Sequence, residues 1–308
     1  MGMSQSYGKG DDAESIATIH RALDLGITFF DTAEAYGPFT NESLLGKALR
    51  GRRDGVVVAT KFGFRLAPGQ ARHIVGLDGS PENVRRVADA SLQRLGIDVI
   101  DLFYQHRRDP SVPLEETMGA LAELVNVGKI RAIGLSEVSA ATIRKAHAIH
   151  PIAALQSEYS LWERGLETDI LPTLRELGIA LVPFSPLGRG FLTGTVGNNS
   201  AMPDDDFRKN DPRFADDNAS RNSGIVAAVR AIAGRHDATP AQVALAWVLA
   251  QGDDIVPIPG TKRVTFLEEN ARAATLALSK ADLADLATLA ARTAGPRYNE
   301  AMMAMVER

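Results

Sequence analysis

Four polar side chains stand where consecutive apolar runs of the sequence end. Asp31 closes the first run, Lys61 the second, His106 the third and Ser136 the fourth, and the phenol of Tyr36 follows Asp31 by five residues. A buried carboxylate without a partner costs several kcal/mol, so a strand that ends in a charge is expected where that end faces a site. Carboxylate, imidazole and phenol groups brought together can transfer protons, and a lysine among them can also act as a nucleophile.

The elements that must position these residues alternate between strand and helix patterns. The predicted strands are short apolar runs, whereas the segments between them carry apolar residues at helical spacing and often end at glycine. Such alternation indicates parallel strands joined by right-handed crossovers. Seven strands are predicted, the last of them over residues 255–258, and the segment Met1-Gly-Met-Ser4 is interpreted as the end of an eighth strand that is truncated at the N-terminus. The pattern also predicts a loop from Phe62 to Gly79 and a helix from Gly224 to Gly234.

This count predicts an α/β fold, a (β/α)8 barrel formed by residues 1–308 as a single domain. In such barrels the active site lies at the carboxyl ends of the strands, so the polar strand ends are expected to meet at one mouth. An open nucleotide-binding sheet would need a glycine fingerprint between a strand and a helix. The run Gly188-Arg-Gly190-Phe-Leu-Thr-Gly194 has its third glycine displaced and no clear helix after it. The barrel is therefore favoured, and these glycines are expected to cradle a phosphate.

The composition is that of an ordinary globular protein. Of 308 residues, 45% are hydrophobic and 23% are charged, and the formal net charge is -4. This balance gives no reason to expect nucleic acid or a membrane as a partner. The absence of cysteine excludes disulfides and thiolate catalysis and fits a reducing compartment. No apolar stretch could span a bilayer and no signal peptide is recognised, so a soluble, cytoplasmic protein is expected.

Seven blocks are spread over nearly the whole chain, namely Phe30-Asp31-Thr-Ala-Glu-Ala-Tyr36-Gly, Ala59-Thr-Lys61, Tyr104-Gln-His106, Gly134-Leu-Ser136-Glu137, Gln156-Ser-Glu-Tyr159-Ser-Leu-Trp162, Pro183-Phe-Ser-Pro-Leu-Gly188-Arg-Gly190 and Ile258-Pro-Gly-Thr-Lys-Arg263 with Glu269-Asn270. Together and in this order they resemble the aldo-keto reductase family. Their wording is similar to the bacterial and plant branch that includes pyridoxal-reductase-like and perakine-reductase-like enzymes. The resemblance implies a (β/α)8 barrel that reduces an aldehyde or ketone to the alcohol with NADPH.

The resemblance also implies a catalytic tetrad of Asp31, Tyr36, Lys61 and His106. Carbonyl reduction by hydride requires a proton for the developing alkoxide, and a free phenol of pKa about 10 donates it poorly at neutral pH. A nearby ammonium lowers that pKa by favouring the phenolate, provided that Asp31 holds Lys61 in place. His106 is expected to orient the carbonyl oxygen by a hydrogen bond. Alone, each residue has a structural explanation; together they favour a proton relay.

An NADPH site along the later strand ends is implied in the same way. Glu137 stands where the family usually has an asparagine, and Phe184 stands where a tyrosine ring commonly stacks on nicotinamide. The cations of Thr261-Lys-Arg263 favour NADPH over NADH, since they can surround a 2′-phosphate. The polar segment from Arg189 to Arg221 is expected to fold over the dinucleotide. The cofactor-binding predictions are Gly2, Met3, Ser136, Glu137, Gln156, Phe184, Ser185, Leu187, Gly188, Gly190, Gly260, Thr261, Lys262, Arg263, Glu269 and Asn270.

The substrate is predicted to be a small carbonyl compound whose identity the sequence leaves open. Phe64, Arg107, Trp162 and Tyr298 are predicted to line its pocket, and arginines there suggest an anionic substrate, although surface arginines are common. Two other functions stay open, namely a Schiff-base aldolase that uses Lys61 and a regulatory NADPH-binding subunit.

No metal site is predicted, because His147 and His150 share one helix face without an evident third ligand. The oligomeric state stays open, since no exposed apolar stripe stands out beyond the helix faces that the barrel needs.

Overall fold

The computed structural model describes residues 1–8, 10–67, 69, 73–200, 202–204 and 206–307. Its centre is a curled sheet of six parallel strands whose spatial order follows the chain once a small antiparallel hairpin is set aside. This order arises when a helix on the outside joins each strand to its neighbour. The strands are β1 (Phe29–Asp31), β2 (Val57–Phe62), the hairpin strands β3 (Phe64–Leu66) and β4 (Ile74–Leu77), β5 (Ile100–Gln105), β6 (Ile130–Ser136), β7 (Ile152–Glu158) and β8 (Ala180–Phe184).

A seventh segment extends the sheet beyond β8. Ile255 forms a parallel bridge with Leu181, and the N–H of Ile258 donates to the carbonyl of Pro183 at 3.1 Å. Residues 1–8 form turns and bends, so seven strand positions of the barrel come from the described part of the chain. With helices covering the outside of the sheet, the structure confirms the predicted (β/α)8 barrel class.

Helices lie between the strands, and their ends follow simple capping chemistry. Ser80 accepts a hydrogen bond from a first-turn N–H at 3.3 Å and precedes Pro81, and Gly96 ends that helix in the left-handed conformation. None of the helices in the described ranges combines the length and apolar character that a membrane crossing needs. The helices are α1 (Asp12–Asp24), α2 (Thr40–Leu49), α3 (Pro81–Leu95), α4 (Leu114–Asn126), α5 (Ala140–Ile149), α6 (Ile170–Leu177), α7 (Asp216–Arg235), α8 (Pro240–Leu249), α9 (Val264–Arg272), α10 (Lys280–Ala287) and α11 (Glu300–Met303).

Apolar side chains form two layers, one inside the curled sheet and one between the sheet and the helices. The inner layer includes Ala59, Tyr104 and Val182, which come from different strands. Gly134 faces the same space, because a Cβ added there would lie 2.3 Å from Cδ1 of Tyr104. The tyrosine ring therefore fills room that a side chain on β6 would otherwise occupy, and the interior is packed without an open pore.

Three predicted segments differ from the structure. The loop predicted from Phe62 to Gly79 contains the hairpin β3 and β4 in its described part. The helix predicted to begin at Gly224 begins eight residues earlier, at Asp216. Its first turns are polar and lack the apolar spacing that indicates a helix, but the acidic residues there stabilise a helix N-terminus. The strand predicted at residues 255–258 is reduced to the bridge at Ile255.

Gly134→Ala is expected to lower the free energy of unfolding by about 1–3 kcal/mol, because the added methyl overpacks the interior against Tyr104. Urea unfolding followed by circular dichroism measures this change. Gly119→Ala in α4 is the matched control, since a Cβ there meets no atom within 4 Å and alanine gains up to about 1 kcal/mol over glycine in a helix. Equal stability of the two variants would contradict the packing argument.

Candidate active site

The mouth at the carboxyl ends of the strands is built around one buried ion pair. The Lys61 side chain is 0% exposed and its ammonium pairs with the Asp31 carboxylate, which is 7% exposed. Lys61 Nζ also donates to the carbonyl oxygen of Thr32 at 2.8 Å, and Gln156 Nε2 donates to Asp31 Oδ2 at 2.8 Å. Burial lowers the pKa of Lys61, but Asp31 more than compensates and leaves it above its usual value. The lysine is therefore held as an ammonium.

The phenol of Tyr36 lies on the other side of this ammonium. Its Oη is 3.5 Å from Lys61 Nζ, and Nζ lies 5.0 Å from the centroid of the ring. Burial raises the pKa of Tyr36 above its usual value, and the charge of Lys61 opposes this rise without reversing it, so the lowered pKa expected from the sequence is not found. The phenol is consequently protonated at neutral pH, while the ammonium beside it can stabilise the phenolate that proton donation leaves.

His106 follows β5 and completes the cluster. Its ring meets Tyr36 edge-on with centroids 5.8 Å apart, and Phe64 packs on it with centroids 4.6 Å apart. Burial lowers the pKa of His106 well below its usual value, and the charges of Lys61 and Arg107 lower it further. The imidazole is therefore neutral at neutral pH and can donate one hydrogen bond without being an acid itself. The structure thus brings together all four residues of the predicted tetrad.

Arg107 and Ser136 connect this cluster to the next strand. The guanidinium of Arg107 is buried, and its Nη1 donates to the carbonyl of His106 at 2.6 Å and to Ser136 Oγ at 3.1 Å. Nη1 of Arg107 is directed at the protein itself, and the predicted place of this side chain in the substrate pocket stays a prediction. Because Ser136 accepts from the guanidinium, its own O–H is left to donate elsewhere.

Five charged side chains beside the mouth form a buried row that the sequence did not reveal. The Glu137 carboxylate accepts hydrogen bonds from both terminal nitrogens of Arg297, with Nη1 at 3.1 Å from Oε1. It also accepts from Ser157 Oγ and from the N–H of Glu158. Arg297 also lies 3.6 Å from Glu158, whose carboxylate pairs with Arg189 at 2.9 Å. We call this row the charge chain, and its members in order are Glu137, Arg297, Glu158, Arg189 and Asp211.

The charge chain is enclosed by protein. Its carboxylates are at most 2% exposed, Arg189 is 3% exposed and Arg297 is 14% exposed. Burial raises the pKa of Glu137, but Arg297 more than compensates and leaves it below its usual value. Glu137 was predicted to contact nicotinamide through this carboxylate. Its carboxylate is here bound by protein groups, so any contact with the cofactor stays a prediction.

The predicted pyrophosphate loop follows β8 in an unusual backbone conformation. Ser185, Gly188, Arg189 and Gly190 all have positive φ, from 51° to 93°. A Cβ added at Gly188 would lie 2.6 Å from the indole of Trp162, so this position requires glycine. The positive φ of Arg189 is unfavourable for a residue with a side chain, and the ion pairs of its guanidinium with Glu158 and Asp211 offset this cost. The N–H groups of Gly188 and Gly190 donate to the carbonyls of Ser185 and Leu187 at 2.9 and 3.0 Å, so the contact of this loop with a pyrophosphate stays a prediction.

The start of α9 carries the predicted 2′-phosphate residues. Arg263 is the N-cap of this helix and its side chain makes no capping bond, while Lys262 Nζ donates to the carbonyl of Tyr7 at 2.9 Å. Thr261 Oγ1 accepts from the N–H of Arg263 at 3.2 Å. Farther along α9, Glu269 accepts from Thr239 Oγ1 at 2.6 Å. The first-turn N–H groups of α9 can therefore meet an anion together with two cations.

The remaining predicted residues have the following places. Trp162 lies in the core, stacked on Phe191 with centroids 5.0 Å apart, so it backs the loop at Gly188. Tyr298 is buried between the guanidinium groups of Arg189 and Arg297, at 4.8 and 5.2 Å from its ring centroid. The other predicted contacts with cofactor or substrate stay predictions; they are Gly2, Met3, Phe64, Phe184, Leu187, Gly260 and Asn270.

Glu34 is an unexpected feature of the segment that carries Tyr36. It is 1% exposed, and neither of its carboxylate oxygens has a hydrogen-bond partner among the residues that the structure describes. Burial raises its pKa to about 7, and Glu42 and Asp78 add to this rise against the opposing charges of Arg86 and Arg94. No sequence pattern predicts this difference, because Glu34 in the turn after β1 and the well-paired Glu42 in α2 are both glutamates eight positions apart, and only the fold assigns partners to one of them.

Comparison with known proteins agrees with this geometry. The family model described as the aldo/keto reductase family matches residues 1–291. The probable aldo-keto reductase 1 of Glycine max is 47% identical over 302 residues, which cover 97% of this chain and 86% of that protein. The chain therefore belongs to the aldo/keto reductase family, a family of oxidoreductases.

Solved structures share the fold. The glycerol dehydrogenase of Gluconobacter oxydans matches with a TM-score of 0.87 and 29% identity, over 96% of this chain and 91% of that one. An aldo/keto reductase from Klebsiella pneumoniae, solved in complex with NADP and acetate, matches with a TM-score of 0.73 and 25% identity, over 96% and 93%. The barrel is thus shared with a glycerol dehydrogenase and with an aldo/keto reductase that was solved with NADP.

Glu34→Gln is expected to raise the free energy of unfolding by about 2–3 kcal/mol at pH 8. Glu34 has a pKa of about 7 when folded and 4.5 as a free side chain. As the pH rises through this window, the unfolded chain ionises first, so ionisation of Glu34 opposes folding and the wild type loses stability. The gain in the variant should shrink as the pH is lowered toward 4.5, which urea unfolding at several pH values measures.

Glu42→Gln is the matched control for this prediction. Glu42 is also fully buried, but it accepts hydrogen bonds from Thr60 and Arg94, both at 2.6 Å. Its loss leaves a guanidinium that is 20% exposed without its partner, so this variant should be less stable than the wild type at pH 8. A Glu34→Gln variant that is also destabilised at pH 8 would refute the assignment.

Proposed function

We propose that this protein is an NADPH-dependent reductase that converts an aldehyde or a ketone into the alcohol, with Tyr36 as the proton donor. The observation that carries the proposal is the buried cluster in which Lys61 contacts Asp31, Thr32 and Tyr36 while His106 lies against the phenol. Assignment to the branch of pyridoxal-reductase-like and perakine-reductase-like enzymes is part of the proposal and rests on the wording of the sequence blocks.

The residues around the mouth fit a bound dinucleotide. The loop after β8 has positive φ at Gly188, Arg189 and Gly190, and its two glycines let a pyrophosphate approach the backbone closely because they carry no side chain. The start of α9 offers N–H groups and the cation of Arg263 to a 2′-phosphate. Ser136 has an O–H available for the nicotinamide carboxamide. When bound, NADPH supplies the hydride. The chain's own residues must then supply the proton, hold the carbonyl and exclude water.

Tyr36 supplies the proton in this mechanism. Burial raises the pKa of Tyr36, so the phenol carries its proton at neutral pH when the substrate binds. As the proton moves to the developing alkoxide, negative charge grows on Tyr36 Oη, and the ammonium of Lys61 at 3.5 Å stabilises it. Asp31 keeps that ammonium charged and in place, while the neutral ring of His106 is positioned to donate to the carbonyl oxygen.

Tyr36→Phe is expected to lower kcat at least about a hundredfold, since it removes the general acid. The loss should appear in NADPH oxidation followed at 340 nm with a panel of aldehydes that includes pyridoxal, while calorimetry shows NADPH binding unchanged. The matched control is Tyr159→Phe. The hydroxyl of Tyr159 donates to Glu167 at 2.6 Å, and its ring packs against Trp247. Turnover by Tyr36→Phe equal to that of the control would exclude Tyr36 as the donor.

Arg263→Ala is expected to lower the preference for NADPH over NADH at least about tenfold, because one cation facing the 2′-phosphate is removed. The quantity to compare is kcat/KM for each dinucleotide at a fixed aldehyde concentration. Arg272→Ala, at the opposite end of α9, removes the same charge from an exposed position and should leave the preference unchanged. If both variants behave alike, the start of α9 does not bind the 2′-phosphate.

A further inference from the structure

The buried charges around the mouth balance one another. The charge chain contains two guanidinium groups and three carboxylates, and the buried guanidinium of Arg107 lies close enough to Glu137 to lower its pKa, as Arg297 also does. Arg107, Arg189 and Arg297 therefore face Glu137, Glu158 and Asp211, three charges against three. These six side chains line the part of the mouth that we call the wall, and together they carry no net charge. The ion pair of Asp31 and Lys61 is balanced as well.

Two of the three arginines of this wall, Arg189 and Arg297, are paired with carboxylates of the protein. Arg297 directs its fork at Glu137 and its Nη1 also lies near Glu158, while Arg189 lies between Glu158 at 2.9 Å and Asp211 at 2.8 Å. A carboxylate on a substrate could bind either arginine only by displacing a carboxylate that is at most 2% exposed. The displaced group would stay buried without its partner, which is strongly unfavourable.

The wall adjoins the place where the carbonyl must lie. Glu137 directly follows Ser136 at the end of β6, and Arg107 directly follows His106 at the end of β5. Arg107 Nη1 contacts both the His106 carbonyl and Ser136 Oγ, so a single side chain of the wall touches the residues that are proposed to orient the substrate and the nicotinamide. A charge on the substrate within a few ångströms of the carbonyl would therefore experience the field of this wall in a low-dielectric setting.

We propose that Glu137 is a specificity-determining residue that makes the pocket select uncharged carbonyl compounds over those bearing a carboxylate. It does so by holding Arg297 and by offsetting the charge of Arg107. This inference rests on the proposed reductase function and names its substrate class. It reverses the expectation from the sequence, in which arginines near the pocket suggested an anionic substrate.

The test compares kcat/KM for two aldehydes that differ in charge, 4-formylbenzoate and its methyl ester, with saturating NADPH. The ratio of the two values is measured on one enzyme preparation, so the fraction of active protein cancels. The wild type is expected to favour the ester at least about tenfold, because the carboxylate loses its hydration while Arg189 and Arg297 are already paired with protein carboxylates and Glu137 offsets the charge of Arg107. Differences in intrinsic aldehyde reactivity cancel when this ratio is compared between variants.

Glu137→Gln removes one negative charge and leaves Arg297 without its main partner. The ratio should then move toward the carboxylate at least about tenfold. Arg297→Gln leaves Glu137 as an excess negative charge and should move the ratio in the opposite direction, whereas the double variant is neutral and should return it close to the wild-type value. Glu176→Gln is the matched control, since it breaks the exposed pair with Arg144 on the outer face of α6 and should leave the ratio unchanged.

Three results would overturn the inference. The first is a wild type that prefers 4-formylbenzoate, and the second is an active Glu137→Gln variant whose ratio equals that of the wild type. Where Glu137→Gln does not fold, Arg297→Gln decides, and an unchanged ratio in that variant is the third. The absence of NADPH oxidation by the wild type with either aldehyde would instead overturn the proposed function and this inference with it, an outcome distinct from turnover without charge preference.

Discussion

The contact between Lys61 and Asp31 is the constraint on which the rest of the mouth depends. Both side chains are buried, and removing either partner would leave an isolated charge in the interior, which typically costs about 3–5 kcal/mol. Gln156 reaches the same carboxylate from β7, so one pair joins the first, second and fifth strands of the main sheet. Because Asp31 keeps the lysine charged, Lys61 is poorly suited to attack a carbonyl as a free amine, which disfavours Schiff-base chemistry.

The parts of the structure that the sequence predicted are those with a local signal. A charged residue at the end of an apolar run is visible in the sequence, so the tetrad could be placed at strand ends before any geometry was known. The start of α7 at Asp216 was missed because its first two turns are polar, although acidic residues there are typical of a helix N-terminus. The hairpin formed by β3 and β4 was missed because glycine and proline nearby resembled a plain loop.

The charge chain could not be predicted, for a different reason. Glu137 and Arg297 are 160 positions apart in the sequence, and Glu158 and Arg189 are 31 apart, so no spacing rule connects them. Only the fold brings the ends of β6 and β7 to the loop after β8 and to the C-terminal segment. A buried row of alternating charges also tolerates little movement, since each member loses its partner when its neighbour shifts. The charge chain therefore fixes the positions of the loop after β8 and of the C-terminal segment relative to the strand ends.

The packing of Trp162 against the loop gives the protein an intrinsic optical reporter. The chain has two tryptophans. Trp162 stacks on Phe191 and touches the backbone at Gly188, whereas Trp247 lies on the outer side of the sheet against Tyr159 and Arg164. Indole emission depends on the immediate surroundings of each ring, so a displacement of the loop alters the fluorescence of one tryptophan and leaves the other as an internal reference. The two rings therefore separate local loop movement from a change of the whole barrel.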